Sequence, residues 1–290
     1  MTSCRLSYYP DITQGQTDQA VRDAVIVFAK ALSEQLSTDL HREIKIEVAP
    51  VMSVPEQFED IVNGGCEIAL MKPVAYIFAH RRRPGIVPAC VAHRPIDGKV
   101  GTTYFGQIYA RRDLGLNNLS DLAARPAESL RIAYGNRFST SNFLIPANMM
   151  RRETGIHPFL FFKSALFAGG HDKAAEAVYR GEADIGAGHD GVIKILSDTH
   201  ADAPDVLVRL GREDIHSDPV VVDVDRLPAG LTLAHIQTAC TTIAKTEPTK
   251  AALDLFWGWV KDLSPTEHAN YGSIERALEG LSLGERDMLA

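Results

Sequence analysis

Residues 44–76 read IKIEVAPVMSVPEQFEDIVNGGCEIALMKPVAY and alternate between strand and helix patterns. Apolar and charged residues alternate over 44–48, which is typical of a half-buried strand. The run Ser53-Val54-Pro55-Glu56 combines an N-cap, an early proline and a capping-box acid, and so predicts a helix start. That helix should end at Gly64-Gly65, and the apolar run 66–71 predicts a short buried strand. Such alternation indicates an α/β fold with a mostly parallel sheet.

The same pattern continues through the rest of the chain. It predicts strands at 5–9, 104–110, 130–134, 159–162, 183–187, 206–210 and 220–224. It predicts helices from about 17, from 72–73, from 119, and at 141–152, 172–180, 233–245 and 249–263.

Composition excludes several classes of function. The chain has 290 residues, 45% hydrophobic and 23% charged, with a formal net charge of -7. An acidic chain is a poor partner for nucleic acid or an anionic membrane. No apolar run reaches the roughly 20 residues that span a bilayer. The cysteines are scattered, without metal-ligand spacing, so neither a disulfide framework nor a metal site is expected.

The segment Gly135-Asn136-Arg137-Phe138-Ser139-Thr140-Ser141 follows a predicted strand and precedes a predicted helix. The opening turn of a helix has unsatisfied N–H groups and the positive end of the helix dipole. Three consecutive hydroxyls at that position predict an anion site. A simple N-cap is the alternative, and it explains one hydroxyl but not three. Pro146 should lie near the helix start, because further in it would break the backbone ladder.

Two further glycine-containing segments are weaker signals. Gly169-Gly170-His171-Asp172 is another strand-to-helix junction, where backbone can approach a ligand closely. Residues 186–191, GAGHDG, match the dinucleotide fingerprint, but only a short strand fits before them, so we interpret the match as accidental. Ser139, His171 and Asp190 have the residue types of a hydrolytic triad. No G-x-S-x-G elbow surrounds the serine, so a catalytic nucleophile is not indicated.

Together these segments resemble the phosphate/phosphite/phosphonate-binding proteins of ABC importers, a group within the type II periplasmic binding proteins. The resemblance extends from the first helix to Tyr271 and rests on order and spacing as well as on motifs. Its strongest parts are EIALMKPVAY (67–76), residues 104–113, STSNFLIP (139–146), AGGHD (168–172) with Ala177-Val178, and DPVV (218–221).

The resemblance implies a two-lobed α/β fold with the ligand in the inter-lobe cleft. Lobe I would comprise residues 1–106 and 215–290, and lobe II residues 107–214. In the family the hydroxyl run donates hydrogen bonds to the oxyanion, a role that carries to Ser139, Thr140 and Ser141. The other implied ligand-binding residues are Tyr104 and His171 for the oxyanion, and Asp218 and Asp190 for the amine of aminoalkylphosphonates.

The chain departs from the family at Met71, which replaces an aromatic contact of some members, and at Lys72, where glycine or a small residue is usual. If Lys72 faced the cleft, it would favour an extra negative charge on the ligand. We expect it to point to solvent instead, because an unpaired lysine is costly to bury.

The resulting expectation is a solute-binding protein that captures a small phosphonate- or phosphite-type oxyanion for an ABC importer by lobe closure. It would be a monomer with an ABC permease as partner, without catalytic activity, cofactor or metal. A cytosolic enzyme or a ligand sensor on the same scaffold is the alternative. The first residues lack the apolar core of a signal peptide. The expected location is therefore the periplasm or cell surface if a signal has been removed, and the cytoplasm otherwise. Phosphite, phosphate, methylphosphonate and aminoethylphosphonate are not ranked by the sequence.

Overall fold

The computed structural model describes residues 2–9, 17–96 and 98–289. The chain divides into two compact units. The first unit comprises residues 1–103 and 216–272, and the second comprises residues 104–215 and 273–290.

The strands and helices alternate along most of the chain. The strands are β1 (Thr2–Tyr8), β2 (Ile44–Val48), β3 (Ile68–Leu70), β4 (Ile86–Ile96), β5 (Lys99–Gly101), β6 (Thr103–Arg111), β7 (Arg131–Tyr134), β8 (Ser164–Phe167), β9 (Ile185–His189), β10 (Leu207–His216), β11 (Pro219–Asp223) and β12 (Asp262–Pro265). The α-helices are α1 (Asp18–Leu40), α2 (Val54–Val62), α3 (Pro73–Arg82), α4 (Leu119–Ala123), α5 (Ile145–Thr154), α6 (His171–Tyr179), α7 (Val192–Thr199), α8 (Ala203–Val206), α9 (Leu233–Ile243), α10 (Glu247–Trp257), α11 (Gly272–Leu281) and α12 (Glu285–Leu289).

The first unit is built on a mixed sheet with the strand order β12-β4-β11-β3-β1-β2, and β5 pairs with β4. β1 runs parallel to β2 and to β3, as the alternating pattern predicts. β11 runs antiparallel to both β3 and β4, so the sheet is less parallel than expected. β11 re-enters the sheet after the chain has passed through the second unit, and therefore approaches it from the opposite direction. The capping box predicted at Ser53 and Glu56 is present at the start of α2.

The second unit has its own sheet, with the strand order β10-β6-β9-β7-β8. β7 pairs in parallel with β8 and β9, whereas β6 pairs antiparallel with β9. Its core is small and aliphatic where α6 packs on the sheet: Ala174, Ala175 and Val178 are buried against Ala133.

Two predicted elements are wrong. Residues 159–162 form turns and bends rather than a strand, since β7 pairs instead with β8, in the register Arg131↔Ser164. Of this apolar run Phe162 is buried and Leu160 is exposed, while the partly exposed Phe159 ring lies 5.6 Å from that of Phe143. The helix predicted over 249–263 ends at Trp257, because Gly258 adopts a left-handed φ of 66° and stops it.

The C-terminal residues differ from the expected domain division. The sequence assigned all of 215–290 to lobe I, but residues 273–290 group with the second unit. α11 lies against α5 there: a Cβ on Gly280 would come within 2.5 Å of the Asn148 Oδ1 atom. The apolar face of α11 predicts burial, but periodicity does not specify the partner that covers it.

The β7–β9 pairing is anchored by an ion pair between Arg131 and Asp184. The Arg131 side chain donates to both carboxylate oxygens, each at 2.9 Å, and the Arg131 backbone N–H donates to Oδ2 at 2.7 Å. These hydrogen bonds from Arg131 hold the pKa of the Asp184 carboxyl below its ordinary value. A carboxyl with a lowered pKa stabilises the fold above its unfolded-state pKa, and that contribution is lost as the pH falls through its folded-state pKa.

We therefore expect Asp184→Asn to lower the free energy of unfolding by about 1 kcal/mol near pH 7, since the partly exposed pair is screened by solvent. The difference from wild type should shrink towards about pH 3, where the unfolded carboxyl is largely protonated. Urea unfolding at the two pH values measures both effects. The exposed Asp198→Asn serves as control and should match wild type. An Asp184→Asn deficit that is equal at both pH values would contradict the assignment.

Candidate functional site

The hydroxyl run lies at the opening turn of the helix that continues into α5. Ser139 caps this helix, and its Oγ accepts the N–H of Asn142 at 3.0 Å. Thr140–Leu144 form a π-turn, in which the Leu144 N–H donates to the Ser139 carbonyl at 3.1 Å. Pro146 lies in the first turn of α5, as predicted, and has no N–H for an α-helical bond. The wider π-turn allows the backbone groups near Pro146 to form hydrogen bonds although the proline has no N–H. Such π-turns are frequent at functional sites.

The opening turn is fixed against the sheet of the second unit. The fully buried Asn142 donates its Nδ2–H to the Ala187 carbonyl of β9 at 2.7 Å. Gly106 on β6 permits the close approach: a Cβ there would lie 2.9 Å from the Ser141 carbonyl oxygen. The sheet therefore sets the position of the hydroxyl run directly.

The hydroxyls of this turn are buried yet not all satisfied. Ser139, Thr140 and Ser141 are each less than 5% exposed: 4%, 3% and 4% respectively. The Thr140 Oγ1 atom has no hydrogen-bond partner among the described residues. The Ser139 oxygen accepts the Asn142 N–H, so its own proton is available for donation. A buried hydroxyl without a partner is costly, so the Thr140 hydroxyl is a candidate donor to a bound acceptor.

His171, the first residue of α6, adds a donor beside Ser139. Its Nδ1 accepts the backbone N–H of His189 at 3.2 Å, so in the neutral ring the proton is on Nε2. Nε2 lies 3.4 Å from the Ser139 Oγ. The structure thus brings together Ser139 and His171, which are 32 positions apart in the chain.

Asp190 lies next to this pair but plays no triad role. The His189 Nδ1 accepts the Gly191 N–H at 3.0 Å and lies 3.6 Å from the Asp190 Oδ1. A triad needs a carboxylate that accepts the Nδ1–H of the catalytic histidine. The Nδ1 of His171 is an acceptor instead, so Ser139, His171 and Asp190 do not form a triad.

Tyr104 is the first residue of β6 that belongs to the second unit, and it is 6% exposed. Alternate residues of a strand share a face, so Tyr104 lies on the face of Gly106, which contacts the opening turn. The role of Tyr104 in oxyanion binding stays a prediction.

The fingerprint-like run at 186–191 has another explanation. Residues 185–189 form β9 itself, so its first two glycines lie within a strand and not in a strand-to-helix turn. A Cβ on Gly186 would come within 2.4 Å of the Tyr109 ring. The glycines make room for that buried tyrosine, and no dinucleotide loop is present in this run.

The remaining predicted residues belong to the first unit. Met71 is fully buried, and its N–H donates to the Pro219 carbonyl at 3.3 Å. The expectation that Lys72 points to solvent is wrong, because the residue is only 6% exposed. Its Nζ lies 5.4 Å from the centroid of the Tyr9 ring. A cation–π contact with this ring helps to compensate the burial of the ammonium.

Asp218 is also buried, and it forms an ion pair that the sequence did not indicate. Its Oδ2 accepts a hydrogen bond from Arg94 Nη2 at 2.5 Å. Arg94 Nε also donates to the Ser217 Oγ at 3.1 Å. The carboxylate expected to receive a ligand amine is thus paired within its own unit.

Sequence reasoning missed three residues that shape these surfaces: Asn142, His189 and Arg94. Asn142 and His189 lie inside quoted motifs, but their roles depend on contacts with distant backbone. No sequence pattern indicated the role of Arg94, since its partner Asp218 is 124 positions away.

No helix within the described residues has the length and apolar character needed to cross a membrane. The described residues also contain no cluster of three or more His, Cys, Asp or Glu side chains arranged to hold a metal ion.

Comparisons with known proteins place this geometry in context. Residues 13–271 match the family described as "ABC transporter, phosphonate, periplasmic substrate-binding protein". The phosphate-import protein PhnD of Mycolicibacterium smegmatis is 25% identical over 189 residues, covering 63% of this chain. The match spans 57% of that relative's length.

Solved structures show the same fold at low identity. PhnD1 from Prochlorococcus marinus, in complex with methylphosphonate, has a TM-score of 0.72 and 20% identity, covering 97% of this chain and 98% of its own. A binding protein component of an ABC phosphonate transporter from Pseudomonas aeruginosa has a TM-score of 0.65 and 17% identity, covering 99% and 92%. The predicted fold class, that of the type II periplasmic binding proteins, is confirmed. Because the family match extends over most of the sequence, this chain belongs to the family of phosphonate-binding, periplasmic substrate-binding proteins of ABC transporters.

Proposed function

We propose that this protein binds a small phosphonate- or phosphite-type oxyanion reversibly and delivers it to the permease of an ABC importer. Family membership supports this role. The observation that carries the proposal is the Thr140 hydroxyl, which is buried and has no partner among the described residues. It lies in an opening helix turn, where the helix dipole favours negative charge.

The proposed oxyanion site consists of neutral donors. The Ser139 hydroxyl has a proton to donate, and the Thr140 hydroxyl has no acceptor within the described part of the chain. The His171 Nε2–H lies on the Ser139 side of its ring. Ser141 and Tyr104 are also buried, and we assign them to the same set. Hydrogen bonds to an ionised acceptor are roughly twice as strong as neutral ones. A few of them can supply the approximately 8 kcal/mol of micromolar binding.

The same geometry supports binding rather than catalysis. A nucleophilic serine needs a base that is itself oriented by an acceptor on its other ring nitrogen. In His171 that second nitrogen is occupied as an acceptor of a backbone N–H. The pair is therefore suited to donate to a bound anion and not to activate Ser139.

The proposed cycle uses both units. The second unit would bind the oxyanion first, and the first unit would then close on the ligand's substituent, with Met71, Lys72 and Asp218 at its contact surface. The division into two compact units supports such a motion. The protein would act as a monomer in the periplasm or at the cell surface, with the permease as its partner.

The ligand can be identified among the four candidate anions. One relative is named for phosphate import and another was solved with methylphosphonate, so both belong in the screen with phosphite and aminoethylphosphonate. Binding to the native state raises Tm according to affinity and ligand concentration. We expect at least one phosphonate or phosphite to raise Tm. No shift with any of the four would favour the enzyme or sensor alternatives.

Thr140→Val tests the central observation, because it removes the hydroxyl while it preserves shape. We expect affinity for the best-binding anion, measured by calorimetry, to fall about 10-fold, in line with a lost charge-assisted hydrogen bond. Stability without ligand should not fall, since the hydroxyl has no partner to lose among residues 2–9, 17–96 and 98–289.

Thr249→Val is the matched control. Thr249 is fully buried in the first unit, and its Oγ1 accepts a hydrogen bond from Thr246 at 3.1 Å. This variant should lose stability and keep its affinity. If Thr140→Val bound the anion as well as wild type does, the oxyanion site would not be at this turn.

Ser139→Ala and His171→Ala should each weaken binding by about 10-fold or more, because each removes a donor to the oxyanion. His157→Ala, a half-buried histidine elsewhere in the second unit, is the control and should leave affinity unchanged. Titration calorimetry with the same anion measures all three variants. Wild-type affinity in both site variants would count decisively against the assignment.

A further inference from the structure

A polar cavity of about 420 Å³ lies within the second unit, a volume typical of small-ligand pockets. We call it the arginine pocket; its polar lining residues are Asn148, Arg151, Arg152, Glu213, Ser273 and Arg276. These residues come from α5, β10 and α11, and all of them belong to the second unit.

The arginine pocket is separate from the proposed oxyanion site. The opening turn at Thr140–Leu144 continues into α5, and Arg151 lies in the last turn of that helix. At a rise of about 1.5 Å per residue, the two sites are roughly 15 Å apart along the helix axis. A small ligand in the pocket would therefore not contact the hydroxyl run.

Positive charge exceeds negative charge in the lining of this pocket. Arg152 is paired: its Nη1 lies 2.9 Å from a Glu213 oxygen and its Nη2 lies 3.0 Å from a Glu153 oxygen. Arg151 and Arg276 form no ion pair within the described part of the chain. Three guanidinium groups and one carboxylate thus line the cavity, which leaves two positive charges in excess.

Asn148 is an independent sign of a ligand. It is only 7% exposed and lines the pocket, yet its side chain forms no hydrogen bond within residues 2–9, 17–96 and 98–289. A buried amide without a partner is costly, and its nitrogen carries two N–H donors. The amide lies close against α11, because Gly280 has no Cβ to collide with the Asn148 Oδ1 atom.

The dipole of α5 explains only part of this arrangement. Arg151 and Arg152 are in the last turn of that helix, where the dipole favours cations. Arg276 lies in the middle of α11, where no such end effect operates. The dipole also does not account for the buried amide of Asn148. A bound anion would account for both.

The set of donors fits a phosphate group. A guanidinium presents paired N–H donors that match two oxygens of a phosphate or a carboxylate. Arg151 comes from α5, whereas Arg276 and the Ser273 hydroxyl come from α11. Donors from both helices suit a tetrahedral group with several acceptor oxygens better than a planar carboxylate with two. A phosphate dianion also balances the two excess positive charges of the lining.

We propose that the arginine pocket is a second anion site, which binds the phosphate group of inorganic phosphate or of a small phosphate ester. It shares no residue with the proposed oxyanion site and does not depend on the proposed function. The cavity of about 420 Å³ leaves room for the organic part of an ester.

Titration calorimetry with glycerol phosphate, inorganic phosphate and malonate tests the pocket and its ligand class. Salt at about 0.15 M screens non-specific attraction to exposed charges. We expect at least one of the two phosphates to bind with a Kd below about 1 mM. Malonate, a dicarboxylate, should bind at least about 10-fold more weakly. Tighter binding of glycerol phosphate indicates an ester as the ligand, and tighter binding of inorganic phosphate indicates the free ion.

Variants test which residues hold the phosphate. Arg151→Gln and Arg276→Gln should each weaken binding of the tighter phosphate by about 10-fold, because each removes charge-assisted hydrogen bonds. Both arginines are exposed, so these variants should keep the wild-type Tm. Glu213→Gln should strengthen binding, since it removes the carboxylate of the lining. Arg180→Gln, which removes an exposed guanidinium paired with Glu176, is the control and should keep wild-type affinity.

Three results would overturn the inference: no binding of either phosphate, malonate binding as tightly as phosphate, or an equal loss of affinity in Arg180→Gln and Arg276→Gln. Loss of phosphate binding in Thr140→Val but not in Arg276→Gln would place the ligand at the hydroxyl run and would also overturn it. A protein that binds phosphate with the predicted arginine dependence, but binds no phosphonate or phosphite, would retain this site and lose only the proposed function.

Discussion

The side chain and backbone of Asn142 hold the candidate site together. Its backbone N–H donates to the Ser139 oxygen, and its side-chain amide donates to the Ala187 carbonyl of β9. These two hydrogen bonds hold the first helical turn against the sheet, and they make the Ser139 oxygen a hydrogen-bond acceptor. The serine proton must then point elsewhere. The same sheet strand ends at His189, whose backbone N–H sets the tautomer of His171. One buried asparagine thus links the cap, the sheet and the donors.

The proposed anion site is compatible with an acidic protein because the attraction would be local. The net charge of -7 acts across the whole surface and is screened by salt. A helix dipole and buried hydroxyls act at contact distance, where burial removes most of that screening. The first unit contains buried formal charges: Lys72 lies against the Tyr9 ring, and Arg94 is paired with Asp218.

Three errors of the sequence analysis share a physical origin. Lys72 was expected in solvent because an isolated lysine is costly to bury, yet the Tyr9 ring, far away in the sequence, helps to compensate that cost. Asp218 was expected to be available to a ligand, yet Arg94 reaches it across neighbouring strands. The tail after residue 272 was assigned to the wrong unit, because its apolar face predicts burial but not which element covers it. Each error concerns a contact between residues remote in the chain.

The amino-acid sequence alone determined the local features of this protein. It specified the strand–helix alternation over 44–76, the capping box at Ser53, the place of Pro146 and the presence of hydroxyls at a helix start, because these depend on neighbours within about one helical turn. Only the tertiary structure decided that the Thr140 hydroxyl is buried with no partner in the described part of the chain, that the His171 proton is on Nε2, and that Arg94 pairs with Asp218. Those properties arise from pairings between distant segments, and periodicity and spacing carry no information about which distant groups will meet.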